Sequence, residues 1–130
     1  MSGFHDGVAA RTIYGEARGE SDLGKLAVAC VLRNRIKLGR WGHTPAAVCM
    51  ANMQFSCWNQ NDPNRKLMLE LDDNDLDLAR CLFAWRSSEA GEDPTNGASH
   101  YKVRGTHARW AEGVMPCATV GHHEFFRDIA

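Results

Sequence analysis

Apolar residues recur at helical intervals through the first two-thirds of the chain and lose that period in the last third. Phe4, Val8 and Ile13 follow one another at roughly helical spacing after Ser2, which places Glu16 near the end of a first helix, before Gly19. Ser21 can cap a second helix, in which Leu23, Leu26, Ala27, Cys30, Val31 and Asn34 follow one face until Gly39 stops it. Two helices therefore meet at a corner that holds Glu16 and Glu20. Thr44 before Pro45 pairs a capping hydroxyl with a proline at the first helical position, predicting a short helix that ends near Gln54–Trp58. The segment from Asn59 to Lys66 is polar and turn-forming. Leu78, Leu82 and Trp85, with Gly91 as the stop, predict the longest helix after the second, with Trp85 in the core.

Beyond Gly91 the period changes. The stretches from Asp93 to Gly105 and from Thr119 to Ile129 are rich in turn formers, β-branched residues and aromatics. They predict two short strands around a loop that holds Trp110. The expected fold class is α+β, mostly helical with a small β-sheet. There is no internal repeat, low-complexity tract or linker, and 130 residues with 44% hydrophobic content fit one domain, 1–130.

Charge and cysteine usage narrow the partners. A formal net charge of −1 provides no field for drawing the protein onto nucleic acid or an anionic membrane, so a bound polymer would be recognised by shape and hydrogen bonds. The apolar run from Leu26 to Leu32 is far short of the roughly 20 residues of a spanning helix, and the first residues lack the basic and apolar regions of a secretion signal. A monomer made in the cytoplasm, without membrane insertion, is expected. Five cysteines cannot all pair and none forms a Cys-x-x-Cys; Cys30 and Cys81 lie in apolar helical patterns, as buried reduced thiols do.

Two carboxylates stand out. Glu16 and Glu20 are four residues apart, although Gly19 interrupts the turn between them, and arginines flank them. Such charge is most often a solvated, salt-bridged helix end. Ile13, Tyr14 and Ala17 beside Glu16 favour a chemical role, because carboxylic acids in apolar company keep their protons toward neutral pH, as a general acid must. His100, His107, His122 and His123 with Cys117 could in principle collect zinc, but their spacing matches no zinc motif, so no metal or other cofactor is expected. A Cys/His nucleophile built on Cys57 or Cys117 lacks any neighbour that would depress the thiol pKa. Trp41, Trp58, Trp110, Tyr14 and Tyr101 fall in loops or near helix ends, beside amides such as Gln54 and Asn59. That combination suits the flat faces and hydroxyl rims of sugars, although packing is the commoner use of tryptophan.

Six separated stretches carry a family resemblance: Ile13–Glu20, Ala27–Arg35, Gln54–Trp58, Asp93–Tyr101, Trp110, and Val120–Phe126. In this order and spacing they resemble the catalytic domain of the cell wall hydrolases related to the spore cortex-lytic enzymes of the SleB and CwlJ type, over nearly the whole chain. The resemblance implies a lysozyme-like fold that cleaves peptidoglycan strands between N-acetylmuramic acid and N-acetylglucosamine, often as a lytic transglycosylase. It carries the acid of the family's Gly-Glu-Ala motif onto Glu16. Gln54 and Phe55, Asp93, Pro94, Thr95, Gly97, Ala98, His100 and Tyr101, and Gly121, His123 and Phe125 would line or brace the glycan groove. Tyr14 and Trp58 join them as aromatic candidates. Glu20, then Asp22 or Asp93, are the candidates for a second carboxylate, which hydrolysis needs and transglycosylation does not. Arg11 and Arg18 are expected to fix the corner or touch acidic substrate groups. A muramidase and a zinc amidase remain the competing enzymes. Larger members carry a secretion signal and a wall-binding domain that this chain does not match, so it resembles a phage endolysin for Gram-negative hosts, reaching the periplasm through a holin.

Overall fold

The computed structural model describes residues 3–51, 55–59 and 61–130. Among these, five α-helices precede a small sheet: α1 (Gly3–Ala17), α2 (Asp22–Leu38), α3 (Pro45–Cys49), α4 (Pro63–Leu69) and α5 (Leu76–Ala90), then β1 (His100–Val103), β2 (Ala118–Val120) and β3 (His123–Phe126). Short 3-10 turns cover Ser56–Trp58 and Arg109–Ala111. The strands are antiparallel in the order β1-β3-β2.

The helix ends follow local chemistry. The Ser21 hydroxyl accepts the Gly24 N–H at 3.1 Å, satisfying a donor that the first turn of α2 leaves unpaired, and Gly39 closes the helix at φ 76°, a left-handed conformation that glycine adopts without strain. Thr44 caps α3 through the Ala47 N–H and Asp75 caps α5 through the Leu78 N–H. Four expectations change. α3 ends at Cys49, short of the Gln54–Trp58 stretch. The 59–66 segment is not all turn, because Pro63 opens α4 as Pro45 opens α3. α5 has 15 residues and only equals α1. The last stretch makes two strands instead of one, because Gly121 at φ 57° folds β2 back onto β3. Phe4 and Leu23, expected on buried faces, are 69% and 53% exposed.

α1 lies at the centre, against α5, α3, α2 and α4. Ile13, Val28, Leu32, Val48, Phe55, Met68 and Trp85 fill the main core, each contributing about 1.5–3 kcal/mol by leaving water. Trp85 is core as expected, and its indole N–H reaches Asp6 of α1 at 2.8 Å. Three consecutive residues of α2 hold three neighbours, because successive side chains on a helix diverge by about 100°. Arg33 grips α5 through Ser88 and the Trp85 carbonyl, and stacks on the Trp85 ring at 3.6 Å. Asn34 ties down the 93–98 turn through Asp93 and the Ala98 carbonyl. Arg35 donates to the Ser99 carbonyl at 2.7 Å and enters the space beside Glu16.

Candidate active site

Glu16 occupies the last turn of α1, half-buried. Its Oε1 accepts the Tyr101 hydroxyl at 2.5 Å, a bond that joins the first helix to the first strand. Burial, and then the charge of Glu16, push the Tyr101 phenol far above its ordinary range, so it stays protonated and always donates. Burial brings the Arg35 guanidinium down to about 10, against the pull of Tyr101 and Glu16, and it remains a cation. That guanidinium stacks on Trp41 at 4.2 Å and Phe55 at 5.1 Å.

Gly15 explains how the acid comes to rest here. A Cβ at this position would lie 2.6 Å from Met68 Sδ and 2.8 Å from Cys57 Cβ, so glycine lets α4 and the 56–58 turn close onto α1. Cys57 then sits beside Glu16. Burial, followed by that carboxylate, pushes its thiol up, and burial likewise raises Cys117, so neither offers a thiolate nucleophile.

Glu20 faces another way. Its Oε1 accepts the His122 backbone N–H at 3.0 Å and its Oε2 lies 2.8 Å from His122 Nδ1. Burial alone would raise its pKa, but the backbone bond, ring bond and nearby charge of His122 together hold it below the ordinary value of 4.5. Gly24 and Gly121 pinch it from both sides: a Cβ on Gly24 would meet Glu20 Cβ at 2.7 Å, and one on Gly121 would meet Oε1 at 2.5 Å. Both partners of Glu20 thus come from the β2–β3 turn, across the fold. Lys25 closes the corner by donating to the Glu20 and Arg18 carbonyls at 2.6 and 3.3 Å. Arg18 lies over the Tyr14 ring, and Arg11 pairs with Asp73 at 3.0 Å ahead of α5.

The two faces of the sheet divide the remaining aromatics, as strand alternation requires. On one face Tyr101, His123 and Phe125 meet, with ring centres 5.0 Å apart for Tyr101–His123. His123 is buried, its Nδ1 has no hydrogen-bond partner among the described residues, and Glu20 Oε1 lies 3.9 Å away. Burial lowers its pKa against the opposing pull of Glu20 and Glu16, which keeps the ring neutral near pH 7. On the other face His100 sits between Trp41 at 5.6 Å and Trp110 at 4.9 Å, and Trp110 meets Phe126 edge-on. Burial first, then Arg35 and Arg40, bring His100 down to about 4.

Tyr101 thus joins Glu16 to His123, and Arg35 lies between Phe55 and the Trp41 ring that His100 packs against. Trp58 lies one turn back along α1, its indole donating to Thr12 at 2.7 Å, and Tyr14 is buried. Thr95 is fully buried, and Asp93 devotes both oxygens to Asn34, Thr95 and the Gly97 N–H, so this pair braces a turn. Gln54 lies outside the described residues. The late histidines and Cys117 do not converge: among the described residues no three His, Cys, Asp or Glu side chains share a possible ion site. Arg35 was not singled out by sequence reasoning. Its signal was there, a cation four residues after Val31 and eight after Ala27 on a buried stripe.

The fold recurs in solved structures. The catalytic domain of the Bacillus cereus SleB protein superposes with a TM-score of 0.76 at 26% identity, covering 93% of this chain and 88% of that one. The catalytic domain of the germination-specific lytic transglycosylase SleB from Bacillus anthracis gives 0.76 at 25% identity, covering 96% and 98%. Both share the lysozyme-like arrangement of helices around a small antiparallel sheet. No curated protein matches the chain by sequence. The family model described as Cell Wall Hydrolase matches residues 19–126, from just after Glu16 through β3. The chain belongs to the cell wall hydrolase family.

Proposed function

We propose that this chain is a lytic transglycosylase that cleaves peptidoglycan strands between N-acetylmuramic acid and N-acetylglucosamine, with Glu16 as both acid and base. The observation that carries the reading is the division of labour between carboxylates: Glu16 is held at one oxygen by a permanent phenol donor beside Arg35, whereas Glu20 and Asp93 are occupied in bracing turns. A hydrolase of the two-carboxylate kind needs a second group to activate water or attack the sugar. A transglycosylase needs only one. The Bacillus anthracis relative is a lytic transglycosylase by its description, which supports the same activity here.

In the proposed cycle protonated Glu16 gives its proton to the glycosidic oxygen as the bond to the muramic anomeric carbon breaks, and N-acetylglucosamine leaves with a free hydroxyl. The ionised Glu16 then takes the proton of the muramic 6-hydroxyl while that oxygen bonds to the anomeric carbon. A 1,6-anhydro ring closes and Glu16 is again protonated. Tyr101 keeps the carboxyl group oriented through both transfers, and the Trp41–His100–Trp110 wall offers flat faces to the strand. The cellular role in this proposal is that of a phage endolysin acting in the periplasm of a Gram-negative host after passage through a holin. Free thiols at all five cysteines suit folding in a reducing compartment before release.

Mass spectrometry of digested sacculi tests the chemistry. Anhydromuropeptides are expected; reducing muramic ends would make the enzyme a muramidase, and free peptides an amidase. Glu16→Gln is expected to abolish turbidity loss of permeabilised Gram-negative cells with little change in thermal midpoint, since the amide keeps the shape and cannot donate the proton. A variant with near-full lytic rate would remove Glu16 from the mechanism.

A further inference from the structure

A cavity of about 250 Å³ lies between the C-terminal end of α2 and the turn that leads into β1. Lys37, Leu38 and Arg40 line one side, Gly97 and Ser99 the other, and Asp128 completes the rim. This is below the roughly 300 Å³ at which pockets begin to enclose a whole small molecule, so it suits the terminal group of a larger ligand. The charges at the rim are only weakly committed. Among the described residues, exposed Lys37 makes no ion pair, Arg40 stacks on Trp41 at 4.6 Å without pairing to a carboxylate, and Asp128 pairs with its neighbour Arg127 at 3.8 Å. Two cations and a carboxylate around one small cavity repel a simple cation and leave Asp128 unmatched against a simple anion. They match a group that carries both charges. Lys37 and Arg40, at the end of α2, would face the carboxylate of such a group, and Asp128 its ammonium.

The cavity is continuous with the aromatic wall. Arg40 lies over Trp41, Ser99 Oγ is 2.8 Å from His100 Nδ1, and the Ser99 carbonyl accepts Arg35, whose guanidinium stacks on Trp41 and faces Glu16. A strand lying on the wall would send its branches toward this pocket. Stem peptides branch from every second sugar of peptidoglycan, and an uncross-linked stem built on a diamino acid presents a free ammonium and carboxylate on one carbon. We propose that the pocket is a subsite for this ammonium–carboxylate end of the stem peptide. The proposal rests on the glycan-cleaving reading above and adds what the enzyme recognises beside the sugars.

Two measurements separate the subsite from the reaction. In the first, the ¹⁵N-labelled protein is titrated with the tripeptide alanyl-γ-glutamyl-diaminopimelate and followed by backbone amide shifts. Saturable shifts centred on Leu38, Gly97, Ser99 and Asp128 are expected, kept when only the alanine amine is acetylated, lost when the diaminopimelate amine is acetylated, and lost in Lys37→Glu. Shifts elsewhere, no shifts, or equal shifts with the peptide acetylated on diaminopimelate would overturn the subsite. In the second, kcat/KM is measured on strands bearing stems and on strands stripped of them by an amidase. Lys37→Glu is expected to lower the ratio of the two about tenfold. An unchanged ratio, with both strands cleaved, overturns the subsite and leaves the proposed reaction standing. Failure of the wild type to cleave either strand overturns the reaction, and the titration still decides the pocket.

Discussion

Tyr101 shows what one side chain does at this site. Its phenol reaches from β1 to α1, and the 2.5 Å bond to Glu16 orients a carboxyl group in the last turn of the helix. Replacing it with phenylalanine keeps the ring against His123 and Phe125 and removes only the donor. Tyr101→Phe is expected to lower kcat on sacculi by about 10–100-fold, the scale of a misplaced or undonated catalytic group, with a smaller change in KM. A variant with wild-type kcat would show that Glu16 needs no such support. Glu16 itself was legible in the sequence, since a carboxylate beside Ile13, Tyr14 and Ala17 contrasts with its surroundings. The identity of its partner was not, because across a separation of 85 positions the sequence carries no pattern that specifies which strand position faces the helix end.

At the scale of elements, the corner between α1 and α2 was legible and its purpose was not. Ser21, Gly39, Thr44, Pro45 and Gly91 mark helix ends by local chemistry that operates within a few residues. Pro63 carried the same signal as Pro45, and the polar residues around it obscured it. Glu20 joins elements 102 residues apart, pinning the β2–β3 turn to the start of α2. That turn leads into His123 at the start of β3, which packs against Tyr101, so Glu20 connects to Glu16 through two intermediates. Glu20→Gln keeps the shape but sets an amide NH₂ against the donors of His122. It is expected to lower stability by about 1 kcal/mol or more, with lytic activity still measurable. Complete inactivity at unchanged stability, with reducing muramic ends among wild-type products, would make Glu20 a catalytic partner. Gly121→Ala approaches the same contact from the other side, where φ 57° and a Cβ 2.5 Å from Oε1 both oppose a side chain. Its thermal midpoint is expected to fall further than that of Glu20→Gln; an equal or higher midpoint would mean that the turn relaxes freely.

The whole molecule responds to pH through groups that composition cannot single out. Six histidines and a net charge near zero say nothing about which rings are buried. His100 and His123 are the two whose proton affinity falls on folding, mainly by burial, His100 to about 4. Because the unfolded chain takes up these protons near pH 6.5 and the folded one does not, stability is lost as pH falls from 6.5 toward 4. Glu20 and Asp93 act in the next window down. Burial opposes their ionisation, but the His122 bonds to Glu20 and the Asn34, Thr95 and Gly97 bonds to Asp93 hold both pKa values below their ordinary 4.5 and 3.8. Their stabilisation is therefore complete above pH 4.5 and lost as pH falls through the lowered values. Thermal scans at fixed ionic strength should show a midpoint that declines from pH 6.5 downward and steepens below 4.5. His100→Gln should flatten the first part of that decline and leave the second, since the amide fits between Trp41 and Trp110 without a proton to gain. A wild-type midpoint that is constant or rises between pH 6.5 and 4.5 would mean that these two rings take up protons as easily in the folded protein as in the unfolded chain.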